Sequence, residues 1–312
     1  MEKRLAIIIP AYKATFLNAA LDSIAAQTCQ DFTVYVGDDC SPEPIGSIVE
    51  RYRDKTALVY HRFDNNLGGK DLVAQWERCI AMSQGEPWIW LFSDDDVMEP
   101  NCVEQSLKQI DATKGGYDLY HFDINEIDEK GRTTKQLPVY PQVLGAYDYY
   151  KGKTSGRLRS YVVENVFSRT VYEQKGGFKN FDLAWGSDVA TWCIFCGEKG
   201  MYKIEGAKVH WRRSRENITP NISRLVAERK MMANCELLAW AYQYFRNQKK
   251  MWEYNHKIFI RVIRRYRKIV GHESVKRAFD MFFKTHGHKK QWPRIYFMAI
   301  VPSVIYKFIN KL

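Results

Sequence analysis

The first hundred residues alternate between short apolar runs and longer segments in which apolar residues recur at helical spacing. The apolar runs have the length and composition of strands that are buried on both faces of a parallel sheet. Because each run is followed by a helical segment, the pattern predicts a parallel, doubly wound α/β arrangement with right-handed crossovers. The predicted strands cover residues 5–9, 32–36, 57–62 and 88–92, and the predicted helices cover residues 18–27, 45–52 and 72–82.

The pattern is less regular over the next 120 residues. We expect this stretch to complete one α/β domain over residues 1–220, with a first half over 1–100 and a second half over 101–220. The predicted elements are a helix over 102–112, a strand over 118–125, an irregular stretch over 133–147, loops over the aromatic- and glycine-rich residues 147–158, a short helix after Arg169, and a last strand over 203–210.

Residues 221–312 predict a separate extension made of helices. One helix over 222–245 carries an apolar stripe, and a second over 257–270 has an apolar face opposite a dense Arg and Lys face. The segment 292–312 is apolar but interrupted by two prolines, and its longest apolar span is too short to cross a bilayer. The apolar positions are Leu225, Met232, Leu237 and Trp240 in the first helix, and Ile258, Val262, Tyr266 and Ile269 in the second.

Charge separates the extension from the rest of the chain. The 312 residues carry a net charge of +11, but residues 221–312 hold 20 Lys and Arg against 5 Asp and Glu, a net charge of +15. Residues 1–220 hold 27 against 31, a net charge of −4. Such asymmetry favours an anionic partner for the extension, either a phospholipid surface or a nucleic acid. A solvated helical bundle with a basic face is the alternative.

Seven cysteines without framework spacing favour a reducing compartment, and we expect a cytoplasmic protein. Cys193 and Cys196 form a CxxC, but no second pair lies at zinc-ribbon spacing, so buried core thiols are the preferred interpretation. The five-residue apolar stretch near the N-terminus ends at a proline and predicts a first strand rather than a signal peptide.

The candidate chemistry begins at the end of the fourth predicted strand, where three consecutive carboxylates follow an apolar run. Open α/β sheets bind ligands at the carboxyl ends of their strands. Carboxylates so placed suit Mg²⁺ or Mn²⁺, hard cations that also bind substrate phosphates. A solvated acidic turn is the alternative. The three carboxylates are Asp94, Asp95 and Asp96.

A second acidic pair, Asp38 and Asp39, follows the second predicted strand and should lie at the same edge of the sheet. The loop over residues 65–70 belongs to that edge as well, and its glycines could let the backbone approach a ligand. The chain has neither a GxGxxG fingerprint nor a P-loop, so ordinary turn formation explains these glycines equally well.

These segments resemble family 2 glycosyltransferases of the GT-A fold. The resemblance is carried by IIIPAYK, the helix that ends in AAQT, DFTVYVGDDCSPE, the NNLGG loop and WIWLFSDDDVMEPN, in that order and spacing, and it extends from residue 5 to about residue 215. It implies transfer of a sugar from a nucleoside diphosphate sugar to a hydroxyl acceptor with inversion at the anomeric carbon. It also implies a nucleotide-sugar-binding first half and an acceptor-binding second half. The aromatics and glycines of residues 147–158 favour acceptor-facing loops there.

The resemblance also implies roles for individual residues on the donor side. Asp39 would accept the imide hydrogen of the base, which favours uracil or thymine, while Asp38 is a less certain donor contact whose alternative role is only to brace the turn. Asp95 would bind the metal, and Asp96 is a further candidate ligand. Many family members have an aspartate where this chain has Ser93, which leaves the division of labour among the three carboxylates open. The remaining donor contacts implied are Pro10, Ala11 and Tyr12 at the base, Lys70 at the diphosphate or sugar, and Asp94 at the ribose or sugar.

On the acceptor side, a GGF turn at residues 176–178 precedes the stretch that carries the catalytic carboxylate in the family. Asp188 is the preferred general base, which takes the proton of the attacking hydroxyl; Asp182 is the second choice. Asp188 could also, or instead, cap the helix that follows it. His210 is a candidate metal or phosphate contact, and Arg213 a candidate phosphate clamp because a guanidinium binds phosphate in bidentate fashion.

The sequence therefore predicts a metal-dependent, inverting glycosyltransferase that uses Mn²⁺ or Mg²⁺ and, by preference, a UDP-sugar. We expect its acceptor to be a saccharide or a polyprenyl-linked saccharide used in cell-surface polysaccharide synthesis, and we expect a peripheral contact with the anionic inner face of the cell membrane. A nucleic-acid-binding protein that uses the basic, aromatic extension is one alternative, but the extension does not resemble a helix-turn-helix, an RNA-binding sheet signature or a zinc module. A nucleotidyltransferase is another, but it would usually show a glycine-rich phosphate loop near the first strand.

Overall fold

The computed structural model describes residues 2–217 and 223–301. The chain divides into two compact units, close to the expected division near residue 220. The observed units differ from the expected domains in one ten-residue segment, Phe181–Ala190, which groups with the second unit although it lies before residue 220. The first unit comprises Met1–Asn180 and Thr191–Glu216, and the second comprises Phe181–Ala190 and Asn217–Leu312.

The strands of the described residues form a single ten-stranded sheet in the first unit. Eight of them lie side by side in the order β3-β2-β1-β4-β9-β6-β10-β5, while β7 pairs with β6 and β8 pairs with β10. The strands are β1 (Leu5–Ala11), β2 (Phe32–Asp38), β3 (Leu58–Arg62), β4 (Trp88–Leu91), β5 (Val97–Met98), β6 (Leu119–Ile127), β7 (Thr133–Gln136), β8 (Val143–Leu144), β9 (Asn165–Ser168) and β10 (Met201–Arg212).

Helices cover the chain between these strands. The first three connect β1 to β4 and were predicted from their apolar spacing. A seventh helix crosses the division between the two units. The helices are α1 (Leu17–Ala25), α2 (Ile45–Glu50), α3 (Leu72–Ile80), α4 (Cys102–Ala112), α5 (Ala146–Ser155), α6 (Arg169–Lys175) and α7 (Ser187–Cys196).

The first half of the sheet confirms the parallel, doubly wound prediction. β1 pairs in parallel with β2 and β4, and β3 extends β2 on the far side. The core under these strands is apolar and aromatic: Trp90 stacks on Phe122 with ring centroids 5.1 Å apart. Because the four strands run in the same direction, their carboxyl ends and the loops that follow lie along one edge.

The second half of the sheet differs from the sequence-based prediction in three places. Residues 165–168 form β9, which runs antiparallel between β4 and β6 and joins the two halves of the sheet. The stretch 133–147, expected to be irregular, contains β7 and β8. Residues 147–158, expected to be loops, fall largely within α5, which ends at Gly156 in a left-handed conformation with φ 81°.

The second unit contains four α-helices among its described residues, and their apolar faces pack together. The helices are α8 (Arg224–Tyr244), α9 (Met251–Tyr266), α10 (His272–His286) and α11 (Trp292–Ile300). The α9 face was predicted correctly: Ile258, Val262 and Tyr266 are buried among the neighbouring helices. The stripe on α8 was partly wrong, because Leu225 is 69% exposed. Its buried members in the cluster are Ala227, Met231, Cys235 and Leu238.

Cysteine and membrane predictions can be compared directly with the described residues. Cys193 and Cys196 are buried and unbridged, which confirms the interpretation as core thiols. Among the helices of residues 2–217 and 223–301, none has the length and apolarity that a membrane span requires. The last part of the predicted apolar segment, residues 302–312, lies outside the described residues.

Candidate active site

The carboxylate of Asp38 braces the turn at the end of β2. It is fully buried, and one of its oxygens accepts the backbone N–H of Ser41 at 2.8 Å. The other oxygen accepts the Tyr60 hydroxyl and the Arg62 guanidinium, both at 2.7 Å. These three bonds agree with the bracing role that the sequence suggested for Asp38.

Asp39 holds the glycine-containing loop of residues 65–70 against the end of β2. Its oxygens accept the backbone N–H of Leu67 at 2.7 Å and of Gly68 at 2.9 Å. Gly68 has to be small here, because a Cβ at that position would lie 2.7 Å from Oδ2 of Asp39. Asp39 also accepts a hydrogen bond from the guanidinium of Arg78 on α3.

Arg78 is a site residue that the sequence did not reveal. Its guanidinium donates to the side chain and the backbone carbonyl of Asn65, each at 2.9 Å, and lies 3.9 Å over the ring of Phe63. Arg78 therefore bonds both to Asp39 and to Asn65 of the loop, and so holds the loop against the carboxylate. Removing it would leave a buried carboxylate without its cation, a change that typically costs about 3–5 kcal/mol.

Asp94 joins the end of β4 to the loop that follows β1. One carboxylate oxygen accepts the backbone N–H groups of Tyr12 at 3.0 Å and of Lys13 at 3.1 Å. Burial raises the pKa of this carboxyl, and the two N–H groups oppose the shift. The backbone N–H of Asp39 donates to the carbonyl of Ala11 at 2.9 Å. Four predicted donor-side residues, Ala11, Tyr12, Asp39 and Asp94, are thus linked through the loop after β1.

Asp96 is buried beneath the acidic turn and is bonded to the last residue of β10. It accepts the backbone N–H of Arg212 at 2.7 Å and the hydroxyl of Ser93. Burial raises the pKa of Asp96 well above its usual range, and the neighbouring charge of Asp95 raises it further. Ser93 therefore supplies a neutral donor where an aspartate would place another negative charge beside Asp96.

Arg212 is the second site residue that the sequence missed. It is buried, and its side chain donates to the carbonyls of Asp95 at 2.7 Å and of Asp128 at 2.9 Å. The guanidinium of Arg213, the predicted phosphate clamp, is exposed, and its Nη1 lies 3.4 Å from a carboxylate oxygen of Glu126. Strand alternation was the available signal, because Arg212 shares a face of β10 with His210 and Arg213 does not.

The remaining predicted contacts lie at more open positions. Lys70 is exposed in the loop that Asp39 holds. His210 lies on β10 with Nε2 3.5 Å from a carboxylate oxygen of Glu99, and burial lowers the pKa of its imidazole. It lines a cavity of about 670 Å³, with Phe16 of the loop after β1 and Arg212 also in its wall. Pro10 lies in β1 opposite Gly37.

The chemistry of the acidic turn fits a hard divalent cation, although the described residues contain no group of three or more His, Cys, Asp or Glu side chains placed to hold one. Asp94 and Asp96 are each bonded to backbone N–H groups, and Asp95 lies half-buried between them. Mg²⁺ and Mn²⁺ commonly use one or two carboxylates and complete their coordination with phosphate and water. A three-residue cluster is therefore not required.

The loop after β10 contacts the loop after β1. The ammonium of Lys13 donates to the backbone carbonyl of Glu216, and the hydroxyl of Thr15 donates to the Glu216 side chain at 2.9 Å. Backbone that follows the last strand is thereby bonded beside Tyr12 and Lys13. Residues 218–222, which continue this loop, lie outside the described residues.

A buried carboxylate lies before β9 and was not among the predicted site residues. Glu164 accepts the hydroxyl of Ser160 at 2.5 Å and the backbone N–H of Tyr161 at 2.9 Å. Burial raises the pKa of Glu164 to about 7, against the opposing charge of Lys153. The ring of Tyr161 stacks on Trp211 with centroids 4.1 Å apart, so this network supports the strand that carries His210 and Arg212.

The predicted general base lies in the segment that groups with the second unit. Asp188 is in the first turn of α7, which begins at Ser187. Asp182, the second choice, accepts two hydrogen bonds from Arg229, which lower the pKa of its carboxyl. A lowered pKa makes Asp182 the weaker proton acceptor.

Comparison with protein families agrees with these features. The model of Glycosyl transferase family 2 matches residues 6–172. The poly(ribitol-phosphate) β-N-acetylglucosaminyltransferase TarS of Staphylococcus aureus is 30% identical over 139 residues, which are 43% of this chain and 22% of TarS. The succinoglycan biosynthesis protein ExoW of Rhizobium meliloti is 29% identical over 157 residues, 45% of this chain and 47% of ExoW. The chain thus matches less than half the length of either relative.

Solved structures show the same fold. The crystal structure of S. aureus TarS residues 1–349 in complex with UDP-GlcNAc has a TM-score of 0.59 at 16% identity, covering 95% of this chain and 87% of that one. The mannosyltransferase PcManGT from Pyrobaculum calidifontis, in complex with GDP-Man and Mn²⁺, has a TM-score of 0.52 at 13% identity, covering 96% and 87%. At these identities the likeness concerns the arrangement of strands and helices.

Proposed function

The chain belongs to glycosyl transferase family 2 and has the GT-A fold, and from this premise we propose that it transfers a sugar, with inversion, from a UDP-sugar to a hydroxyl of a saccharide or lipid-linked saccharide. The observation that supports the donor site is the hydrogen-bonded edge at the carboxyl ends of β1, β2 and β4. There Asp94 accepts from the backbone of Tyr12 and Lys13, and Asp39 holds the loop that contains Lys70.

Asp39 is proposed to select the base. A carboxylate has about four acceptor positions, and hydrogen bonds from Leu67, Gly68 and Arg78 occupy three in the protein. The remaining position suits the imide N–H of uracil or thymine. Pro10, Ala11 and Tyr12 would line the base from the end of β1, where the Tyr12 side chain is 39% exposed.

The acidic turn is proposed to serve the diphosphate. A bound Mn²⁺ or Mg²⁺ would neutralise charge on the leaving nucleoside diphosphate as a Lewis acid. Asp95 would hold it, with Asp96 and His210 as further candidate ligands. Asp94 would reach the ribose or the sugar, and the cations of Lys70 and Arg213 would contact phosphate from exposed positions.

Asp188 is proposed as the general base. Inversion in a single displacement needs one carboxylate that takes the proton of the acceptor hydroxyl while the oxygen attacks the anomeric carbon. The pKa of the competing carboxyl, Asp182, is lowered by its pair with Arg229. Asp188 lies in the first turn of α7.

The acceptor is proposed to belong to cell-surface polysaccharide synthesis. The names of two relatives support a polymer acceptor, since TarS is named for poly(ribitol-phosphate) and ExoW for succinoglycan biosynthesis. A cytoplasmic enzyme acting at the inner face of the membrane would meet lipid-linked acceptors there. Because the apolar face of α9 packs within the second unit, attraction to an anionic bilayer would rely on outward charges such as Lys257, Arg261 and Arg265. Such binding weakens as salt rises.

A screen of nucleoside diphosphates by thermal shift, with and without Mn²⁺, tests the donor proposal. We expect UDP with Mn²⁺ to raise the melting temperature most, since ligands that bind only the folded state stabilise it. Asp95→Asn should lose the part of the shift that depends on Mn²⁺. The absence of a shift with every nucleotide would contradict the proposal.

Sedimentation with liposomes tests the membrane proposal separately. We expect the chain to bind vesicles that contain anionic lipid and to be released by salt, and neutral vesicles serve as the control. Deletion of residues 291–312 should lower activity on a membrane-bound acceptor. Unchanged activity, together with a protein that stays in the supernatant, would remove the membrane from the proposal and leave the transferase reaction intact.

A further inference from the structure

The turn that precedes α7 has a strained backbone. Leu183 and Ala184 are consecutive non-glycine residues with φ values of 58° and 52°, and Gly186 follows with φ 92°. Residues other than glycine rarely adopt the left-handed backbone conformation, and such strain persists only where contacts with neighbouring residues stabilise it. Residues 182–184 form a single turn of 3-10 helix, with the backbone N–H of Trp185 bonded to the carbonyl of Asp182 at 3.0 Å.

Two neighbouring side chains of α8 hold this turn. The guanidinium of Arg229 donates to both carboxylate oxygens of Asp182, from Nε at 2.9 Å and from Nη2 at 2.6 Å. Such fork-to-fork pairing fixes orientation as well as distance. The ammonium of Lys230 lies 4.5 Å from the centre of the Trp185 ring. Arg229 and Lys230 therefore hold the two ends of the left-handed pair.

The far side of the turn is also matched to α8. A Cβ at Gly186 would lie 3.0 Å from a methyl group of Leu237, so only glycine fits at that φ and that distance. The next residue, Ser187, accepts the backbone N–H of Phe181 at 2.9 Å, which closes the turn where α7 begins. Contacts from two successive regions of α8 thus determine where the first turn of α7 starts.

We infer that Arg229 is a positioning residue of the transferase: through Asp182 it holds the left-handed turn 182–184 and so sets the place of Asp188, one residue into α7. The inference rests on the proposed function, in which Asp188 takes the acceptor proton. The basic extension then has a task besides contact with an anionic partner, because its first helix completes the mounting of the general base.

Steady-state kinetics of Arg229→Gln test the inference. Small misplacement of a catalytic group is costly, so we expect kcat to fall by about ten- to a hundredfold, while the Kd for UDP with Mn²⁺ stays within about twofold because Asp188 serves the acceptor step. Arg229→Lys keeps the charge but loses the two-pronged hydrogen bonding of the guanidinium, so its kcat should lie between those of the wild type and Arg229→Gln. A wild-type kcat in Arg229→Gln would overturn the inference.

The matched control lies one residue earlier on α8. Glu228 pairs with Arg277 of α10, and neither residue is bonded to the turn. Glu228→Gln removes an ion pair from the same helix and should leave kcat unchanged. An equal loss of kcat in this variant would show that any damage to α8 slows the enzyme, and would overturn the role assigned to Arg229.

Charge exchange separates the pair from its individual members. In the double variant Asp182→Arg/Arg229→Asp the ion pair can form with its ends reversed, and we expect kcat to recover most of the loss seen in Arg229→Gln. A double variant that remains as slow as Arg229→Gln would overturn the inference and favour a direct role for the Asp182 carboxylate.

Hydrogen exchange gives a readout that does not depend on transfer. The N–H groups of Ala184 and Trp185 are bonded within the turn, at 2.9 and 3.0 Å. Arg229→Gln should speed their exchange by about tenfold or more without lowering the melting temperature, because local opening is governed by local contacts. If no sugar nucleotide binds the wild type, the proposed function fails while this measurement still decides whether Arg229 holds the turn. Unchanged hydrogen exchange in Arg229→Gln would overturn the inference that Arg229 holds the turn.

Discussion

The donor-side edge of the sheet and the turn before α7 hold their carboxylates in opposite ways. Asp38 and Asp39 are buried, and each accepts three hydrogen bonds from the loops, strand β3 and helix α3 beside them. Asp182 is 40% exposed in its side chain, and Arg229, 47 residues away in sequence, supplies the ion pair that orients it. The donor side is thus built by adjacent strand ends, whereas the turn depends on a helix added after the α/β unit.

This difference predicts a division of effects. Changes at the sheet edge should weaken nucleotide binding, because they disturb the loops that are proposed to contact the donor. Changes at the turn and in the first turn of α7 should lower kcat with little effect on nucleotide binding. A turn variant that weakens nucleotide binding, or a sheet-edge variant that lowers kcat without weakening nucleotide binding, would contradict this division.

Asp188→Asn should have the largest effect on kcat. We expect kcat to fall by about a thousandfold, within the range that positioned proton acceptors contribute, because asparagine cannot accept the proton. UDP binding measured by calorimetry should stay within about twofold of the wild type.

Asp182→Asn is the control for Asp188→Asn. It weakens the pair with Arg229 but keeps the Asp188 carboxylate, so its loss of kcat should resemble that of Arg229→Gln rather than that of Asp188→Asn. A thousandfold loss in Asp182→Asn, with a near wild-type rate in Asp188→Asn, would exchange their roles.

Glu164 is a buried carboxylate of the first unit whose hydrogen bonds come from Ser160 and Tyr161, whereas Asp38 and Asp39 are each paired with an arginine. Its pKa is raised to about 7 in the folded protein, and the unfolded value is near 4.5. Between these values the folded state binds more protons than the unfolded state, so the free energy of unfolding falls as pH rises. The cost is complete above pH 7 and amounts to at most about 3 kcal/mol.

Urea unfolding at pH 5 and pH 8 measures this cost. Relative to the wild type, Glu164→Gln should be more stable at pH 8 than at pH 5, since glutamine keeps an acceptor oxygen but cannot ionise. Glu173→Gln, at an exposed position of α6, should show the wild-type pH dependence. Equal pH dependence in Glu164→Gln and the wild type would mean that Glu164 ionises in the folded state without penalty.

A pair of glycine variants gives the smallest expected effect. A Cβ at Gly68 would lie 2.7 Å from Oδ2 of Asp39, whereas a Cβ at Gly145 would have no neighbour within 4 Å. Gly68→Ala should therefore displace the Asp39 carboxylate and weaken UDP binding by about tenfold, the scale of one altered hydrogen bond, while kcat with saturating donor changes little. Gly145→Ala should bind UDP normally. Equal affinities for UDP in Gly68→Ala and Gly145→Ala would contradict a role for the loop of residues 65–70 in donor binding.

Periodicity predicted the first half of the fold because each element there is regular and follows its neighbour in the chain. The strand β9 was missed because its four residues, Asn165–Ser168, are buried by pairing with strands far away in sequence. The helix α5 was missed because Gly152 and several aromatics leave it without a clear apolar stripe. In both cases tertiary contacts, rather than local preference, decide the structure.

The acidic clusters could be located from sequence because they follow strands directly. Their partners could not, since the bond between Arg78 and Asp39 spans 39 residues and that between Arg212 and Asp96 spans 116. Local patterns carry no information on such distant pairs. Arg212 itself could have been selected from strand alternation, because it lies two residues after His210 on β10 and shares its face of the strand.

The position of β9 also has a consequence for the nascent chain. β4 (Trp88–Leu91) gains its second neighbour only when residues 165–168 have left the ribosome, more than seventy residues later. Until then an apolar, tryptophan-rich strand presents unpaired backbone groups along one side, an arrangement that promotes association between chains. Prematurely terminated products that end before Asn165 would keep that side open, and they would accumulate in inclusion bodies rather than in the soluble fraction.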